Sequence, residues 1–159
     1  MDFKKIKNKE KFNSFFLNSD CCHFLQSLEW GEIMKEEGWE NLPYIVEDQG
    51  EIKASILVLK KKIPVLGGSI LYAPRAPVAK LEDTPVINYL LSELKNLGKE
   101  HRAIFLRIDP DIGEDNQQMN SIFLKNGFRK LPQTWSYWNA PKYLLRLKLM
   151  GTEEELFSK

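Results

Sequence analysis

"PYIVEDQGEIKASILVLKKKIPVLGGSILYAPRAPV", residues 43–78, is where the chain changes its period. It holds three runs rich in β-branched and aromatic residues, at 43–47, 51–61 and 63–72. Asp48-Gln49-Gly50 and the segment from Pro64 to Gly68 carry turn chemistry between them. Short turns join antiparallel neighbours, so the stretch predicts a β-meander. It ends at Tyr72, where two prolines bracket one cation in Pro74-Arg75-Ala76-Pro77.

Upstream, residues 2–18 read as a helix, or a helix plus loop, with Phe12, Phe15, Phe16 and Leu17 on one apolar face before Ser19-Asp20 breaks it. "HFLQSLEWGEIMKEEGW", residues 23–39, reads as a second helix. Leu25, Leu28, Ile33 and Met34 share its stripe, Glu29, Glu32, Glu36 and Glu37 face out, and Gly38 suits its end. Downstream, "TPVINYLLSELKNLGKE", residues 84–100, is an amphipathic helix with Thr84 as N-cap and Pro85 at the first helical position. "AIFLRIDP" at 103–110 is a strand ending in Asp109-Pro110, and a short helix in 116–130 closes at Gly127. A late strand is expected at 143–149, and Thr152 with Glu155 forms a capping box for a new helix. This order predicts an α+β fold: a single domain over residues 1–150, with a mixed, mostly antiparallel sheet flanked by helices. Residues 151–159 read as the start of a helix, as in the front part of a longer protein.

Composition narrows the function. Of 159 residues, 43% are hydrophobic and 28% charged, as expected of a soluble globular chain. The net charge of +1 lacks the basic excess of a domain that grips nucleic acid along a broad face. The runs Lys4-Lys5 and Lys60-Lys61-Lys62 read as solvated edges. No apolar run approaches the roughly 18 residues of a membrane span, and the first residues lack a secretory apolar core, so the expectation is a cytoplasmic protein. Cys21 and Cys22 are adjacent, and neighbouring cysteines rarely bridge. His23 follows them, but no second ligand pair stands at a useful spacing, so reduced, at least half-buried thiols and no metal site are expected.

Four segments then carry a resemblance: "FLQSLEWGEIMKEEGW", "LYAPRAPV", "FLRIDPDI" and "FLKNGFRKLPQTW" with the following "YLLRLKLMGTEEELFSK". In order and spacing they resemble the N-terminal half of the FemABX peptidyltransferases. The resemblance implies the first of two GNAT-like domains. It also implies an activity that moves an amino acid from aminoacyl-tRNA to the stem peptide of a peptidoglycan precursor, building cell-wall bridges. The acceptor would be a UDP- or lipid-linked muropeptide, with aminoacyl-tRNA as donor engaged mainly through the second domain. A lipid-linked acceptor would bring the protein to the inner face of the plasma membrane, and the first domain alone would have little or no activity. Acetyl-CoA enzymes of this fold place a glycine-rich turn at a helix start to hold pyrophosphate. This sequence has none, so no cofactor is expected.

Four residues are singled out as site candidates. By the resemblance, Lys35 is a phosphate ligand of the acceptor; alternatively it is a surface lysine among Glu32, Glu36 and Glu37. Arg75 reads as a guanidinium presented on a stiff extended loop, since both prolines fix φ and disfavour helical geometry at Ala73 and Ala76. The alternative is a rigid crossover whose arginine pairs with a nearby carboxylate. The resembling sequences carry glycine where Ala76 stands. Asp109 is implied to be a catalytic base or amine-positioning residue, or else simply initiates an Asp-Pro turn. Tyr72 would line the same cleft, or else is simply an aromatic at a strand end. Trp30 and Trp39 are expected in the core, and Trp135, Tyr137 and Trp138 in packing or as a flat ligand platform. Two rival functions are a degenerate GNAT-like interaction module and a small-molecule N-acyltransferase.

Overall fold

Residues 51–63 form β3, a strand buried on both faces through its middle. Ile56 and Val58 point one way and Leu57 and Leu59 the other, so β3 is the centre on which two helical layers pack. The computed structural model describes residues 1–131 apart from 65, 66 and 114, together with Thr152 and Glu154. The chain divides into two units, Met1–Phe128 and Arg129–Lys159. The strand expected at 143–149, the aromatics of 134–138 and the boundary at 150 lie outside the described residues. Of the helix expected at Thr152, only Thr152 and Glu154 are described.

In the first unit, β1 (Asp2–Lys5) and β2 (Glu40–Asp48) precede β3, and β4 (Gly68–Pro74), β5 (Val78–Ala79) and β6 (Ala103–Asp109) follow it. Among the described residues the sheet order is β1-β2-β3-β4-β6, with β5 also pairing β3. All these pairs are antiparallel except β4 with β6, which is parallel. The helices are α1 (Lys9–Leu17), α2 (Leu28–Glu36), α3 (Thr84–Glu100) and α4 (Gln117–Lys125). The α+β class and the meander are as the sequence indicates. The third run begins at Gly68, not 63, because β3 continues to Ile63 before Pro64 ends it.

The N-terminal third departs from expectation. Residues 2–5 are an edge strand rather than helix, held by Phe3, which stacks on Tyr44 at 4.5 Å. Asn8 then caps α1 by accepting from Lys11 N. Within α1, Phe12 and Phe16 are buried but Leu17 is exposed. Residues 23–39 are not one helix. A 3-10 turn at Phe24–Gln26 comes first, and Ser27 caps α2 by accepting from Trp30 N at 3.1 Å. Ile33 accordingly lies outside the buried stripe, 55% exposed. Asp83 rather than Thr84 caps α3, and the Thr84 hydroxyl instead accepts from Gln118 of α4.

One core lies between the sheet and α3 with α4, where Ile87, Leu90, Leu91, Leu94 and Met119 cover Ile56, Val58, Leu71 and Ala73. A smaller core joins Phe12, Phe16 and Leu28 to Ile45 and Val78 on the opposite face. Gly31 lets α2 sit close to the sheet, since a Cβ there would meet Asn41 at 3.0 Å and Leu57 at 3.3 Å.

The sheet has a gap that one side chain fills. β4 pairs with β3 from Leu59 to Ile63, and β5 pairs with it only at Ala54 and Ser55. Between them the fully buried Gln26 amide accepts from Leu57 N at 2.8 Å and donates to Leu57 O at 3.2 Å and Pro74 O at 2.6 Å. It replaces a missing stretch of strand. Gln26→Leu should therefore lower unfolding free energy in urea by about 3 kcal/mol, because buried groups lose their partners. A loss below about 1 kcal/mol would mean that water or backbone readily takes its place.

At the other edge, Glu47 accepts from Lys11 and Lys4, and these bonds hold its carboxyl at about 2 against an ordinary 4.5. A folded value below the unfolded one contributes stability that is full above pH 4.5 and lost as pH falls toward 2. Glu47→Gln should flatten the fall in urea midpoint across that window. An acid profile parallel to that of the wild type would contradict the assignment.

Candidate functional site

Parallel pairing places the carboxyl ends of β4 and β6 side by side, with Tyr72 beside Arg107 and Pro74 beside Asp109 in register. Ligands of open α/β sheets bind outside such ends. Alternation puts Arg107 and Asp109 on one face with Tyr72. The Tyr72 hydroxyl donates to Asp109 Oδ2 at 2.8 Å, and Arg107 Nε donates to Asp109 Oδ1 at 2.9 Å. The Arg107 guanidinium also lies 5.7 Å from the Tyr72 ring centre. Each carboxylate oxygen thus has its own donor. Burial, then the bond to Asp109, pushes the Tyr72 hydroxyl far above the usual tyrosine range, so it remains a donor at neutral pH.

Trp39 extends this cluster. It is half-buried, outside both cores, with its ring 6.5 Å from that of Tyr72. The expectation of a core tryptophan fails here for a local reason. Gly38, at φ 78°, ends α2 with bonds from Gly38 N to Lys35 O and Trp39 N to Met34 O, which turns Trp39 toward β4. Lys61 Nζ sits 5.3 Å over the Trp39 ring and donates to Glu37 O. Trp30 also lies outside the core clusters, edge-on to the exposed Phe24 at 5.8 Å.

Arg75 stands just beyond β4. Its backbone is not extended, as the flanking prolines suggested, but left-handed at φ 50°, and the Ala76–Pro77 bond is cis. The prolines restrict Ala73 and Ala76, leaving Arg75 to make the turn. Arg75 Nη1 donates to Asp111 Oδ1 at 2.9 Å, the carboxylate pairing weighed as an alternative. Asp111 also lines a shallow cleft with Cys21, Ala76, Pro77, Pro110 and Met119. Burial and the Arg75 charge keep the His23 ring below its usual basicity, and burial raises the Cys21 thiol. Cys21 is half-buried and Cys22, against expectation, exposed; both are free thiols.

Lys35 is elsewhere. It sits in the last turn of α2, bonded to Glu32 at 2.7 Å, and no bond among the described residues joins it to Tyr72, Arg75 or Asp109. Glu32 is held below the usual carboxylate range by Lys35 and then Asn41. The structure therefore joins Tyr72 to Asp109, sets Arg75 at the same strand ends and leaves Lys35 on the surface of α2. Sequence reading passed over Arg107 and Asp111, although the alternating Arg-Ile-Asp-Pro-Asp pattern was the available signal.

Comparison with known proteins agrees with this architecture. The FemAB family model matches residues 8–130. The chain belongs to the FemAB family. It is 32% identical over 112 residues to a lipid II:glycine glycyltransferase of Staphylococcus haemolyticus (strain JCSC1435), covering 67% of this chain and 27% of that protein. It is 30% identical over 136 residues to the Staphylococcus aureus (strain MRSA252) enzyme of the same name, covering 82% and 32%. The chain thus spans between a quarter and a third of the length of these FemAB relatives. A crystal structure of FemX superposes with a TM-score of 0.74 at 26% identity, over 81% of this chain and 32% of that one. A ribosomal-protein-alanine N-acetyltransferase from Brucella melitensis biovar Abortus 2308 matches at TM-score 0.59 and 8% identity over 92% of this chain and 100% of that one. That likeness shows the acetyltransferase-like fold of this FemAB chain.

The cluster has a direct spectroscopic test. Asp109→Ala removes both the bond and the charge that raise Tyr72, while burial remains. The Tyr72 titration, followed by tyrosine carbon NMR and assigned with Tyr72→Phe, should move down toward the ordinary range. An unmoved titration would show that burial alone sets it.

Proposed function

We propose that this domain is the acceptor side of an enzyme that adds an amino acid to the stem peptide of a peptidoglycan precursor, with aminoacyl-tRNA as donor. The observation that carries the reading is the meeting of Asp109, Tyr72 and Arg107 beside Arg75 at the paired ends of β4 and β6. Similarity to lipid II:glycine glycyltransferases supports the substrate class.

Aminoacyl transfer to an amine requires an oriented amine, its deprotonation and a polarised ester carbonyl. Asp109 is an acceptor fixed from two sides, suited to orienting an N–H of the attacking amine. Tyr72 and Arg107 hold that carboxylate in place. Arg75 contributes a guanidinium for an oxyanion of the precursor, and Lys35 reaches a more distant phosphate by leaving its exposed bond to Glu32. Such surface pairs are worth only about 0–1 kcal/mol and exchange readily. The donor site and tRNA contacts are assigned to other parts of the full enzyme. Lipid-linked acceptor would place the protein at the inner membrane face; no helix among the described residues is long and apolar enough to cross a bilayer.

Two features speak for an acyl donor other than acetyl-CoA. The connection 75–83 before α3 contains no glycine, and the Asp83 carboxylate occupies the first turn of α3, accepting from Val86 N. An anion arriving there would meet a negative charge at the helix end that ordinarily attracts one.

Calorimetric titration with a UDP-linked muropeptide should show binding at millimolar ligand or below. Arg75→Ala should weaken it by about 10-fold or more, the scale of a charge-assisted bond, and Lys35→Ala by about threefold. A folded protein that releases no heat with millimolar muropeptide would overturn the proposal.

A further inference from the structure

Among the described residues, two arginine–aspartate pairs stand on either side of Pro110, and they differ in kind. Arg107–Asp109 is the inner pair: the side chains are 13% and 33% exposed, and Tyr72 adds a second donor to the same carboxylate. Arg75–Asp111 is the outer pair: the side chains are 29% and 50% exposed, and a single guanidinium nitrogen makes the bond. No other bond to Asp111 is found among the described residues. The inner pair is a fixed part of the sheet end. The outer pair is open to exchange.

The backbone points the same way. Arg75 adopts φ 50°, a left-handed conformation that a residue with a Cβ seldom takes, and it does so between two buried prolines. Strain of this kind in a non-glycine residue is stable only where the surroundings impose it, and such residues gather at ligand clamps. The guanidinium stands at a strand end, 29% exposed, and among the described residues only its Nη1 is bonded. A phosphate or pyrophosphate brings two oxygens to its donor fork, whereas Asp111 occupies one nitrogen.

We propose that Asp111 is the built-in counter-ion of an oxyanion site at Arg75, and that it sets the affinity of the site by competing with the ligand. The inference rests on the reading of Arg75 as an anion ligand given above. In the unliganded protein Asp111 neutralises Arg75. An incoming phosphoryl group displaces Asp111 and takes the guanidinium in a two-point contact. Asp111 then faces the ligand as a like charge, which disfavours anions too weak to displace it. The ligand class is a phosphate monoester or diphosphate; a monocarboxylate, which merely repeats what Asp111 offers, gains little.

The test compares wild type, Asp111→Asn, Asp111→Ser, Arg75→Gln and the double variant Arg75→Gln/Asp111→Asn in low salt. The probes are UDP and inorganic pyrophosphate, with uridine as the uncharged control. Calorimetry gives affinity, and thermal unfolding checks each fold. Asp111→Asn and Asp111→Ser should bind UDP and pyrophosphate two- to fivefold more tightly, the range an exposed pair can supply. The gain should vanish in the double variant, and uridine should not respond. If Arg75→Gln loses binding but the Asp111 variants bind no better than wild type, competition is wrong while the anion role of Arg75 survives. A gain as large in the double variant means a general charge effect and also overturns the inference. If no protein binds either anion at millimolar concentration, or if Arg75→Gln binds as well as wild type, both the inference and the anion reading fall.

Discussion

The amide of Gln26 is the constraint on which the site depends. A sheet whose strands diverge leaves backbone donors and acceptors without partners, and burying them unpaired is costly. Here β4 leaves β3 beyond Tyr72 and β5 returns further down, and the side chain of Gln26 bonds to both sides of the opening. Because Gln26 belongs to the turn entering α2, one residue couples the first helical layer, the central strand and the end of β4. The position of Arg75, the next residue after Pro74, follows from that coupling. The strands part, and beyond the buried end of β4 there is room for a functional loop.

The site is built from charges that are already answered within the protein. Asp109 is met by Tyr72 and Arg107, and Arg75 is met by Asp111. A cluster with its charges matched keeps its geometry before any ligand arrives, which is the condition for orienting a reactive group. The aromatic wall formed by Trp39 and Tyr72, with Lys61 over its outer edge, adds apolar surface to one side of that geometry.

How much of this was legible depended on the range of the interactions. The meander was readable because its turns are written locally, in Asp48-Gln49-Gly50 and in Pro64 to Gly68. The helix at 84–100 was readable because its apolar period runs for 17 residues. Strand β1 was hidden, since its sequence Asp-Phe-Lys-Lys offers one apolar residue and its partner lies some forty positions away. The 3-10 turn at 24–26 was hidden because Leu25 and Leu28 also fit a helical stripe. Tyr72 and Asp109 were each legible as strand-end residues. Their bond was not, because it needs the parallel register of β4 and β6. The left-handed turn at Arg75 escaped because proline rules restrict the residues before each proline, and Arg75 precedes alanine. Gln26 looked like an ordinary polar helix residue; its burial follows from partners 31 and 48 positions away.

The crossover through α3 also governs when the site can exist. Tyr72 and Asp109 are 37 residues apart, and Arg75 and Asp111 are 36 apart. On a chain synthesised from its N-terminus, β2, β3 and β4 are complete and able to pair before Asp109 has been made. Closing the parallel pair then requires the whole intervening helix to be in place, whereas the hairpins close over a few residues. A partly folded chain can therefore hold its meander while Asp109 still lacks Tyr72 and Asp111 still lacks Arg75. The bonds from Tyr72 to Asp109 and from Arg75 to Asp111 report that the crossover has closed.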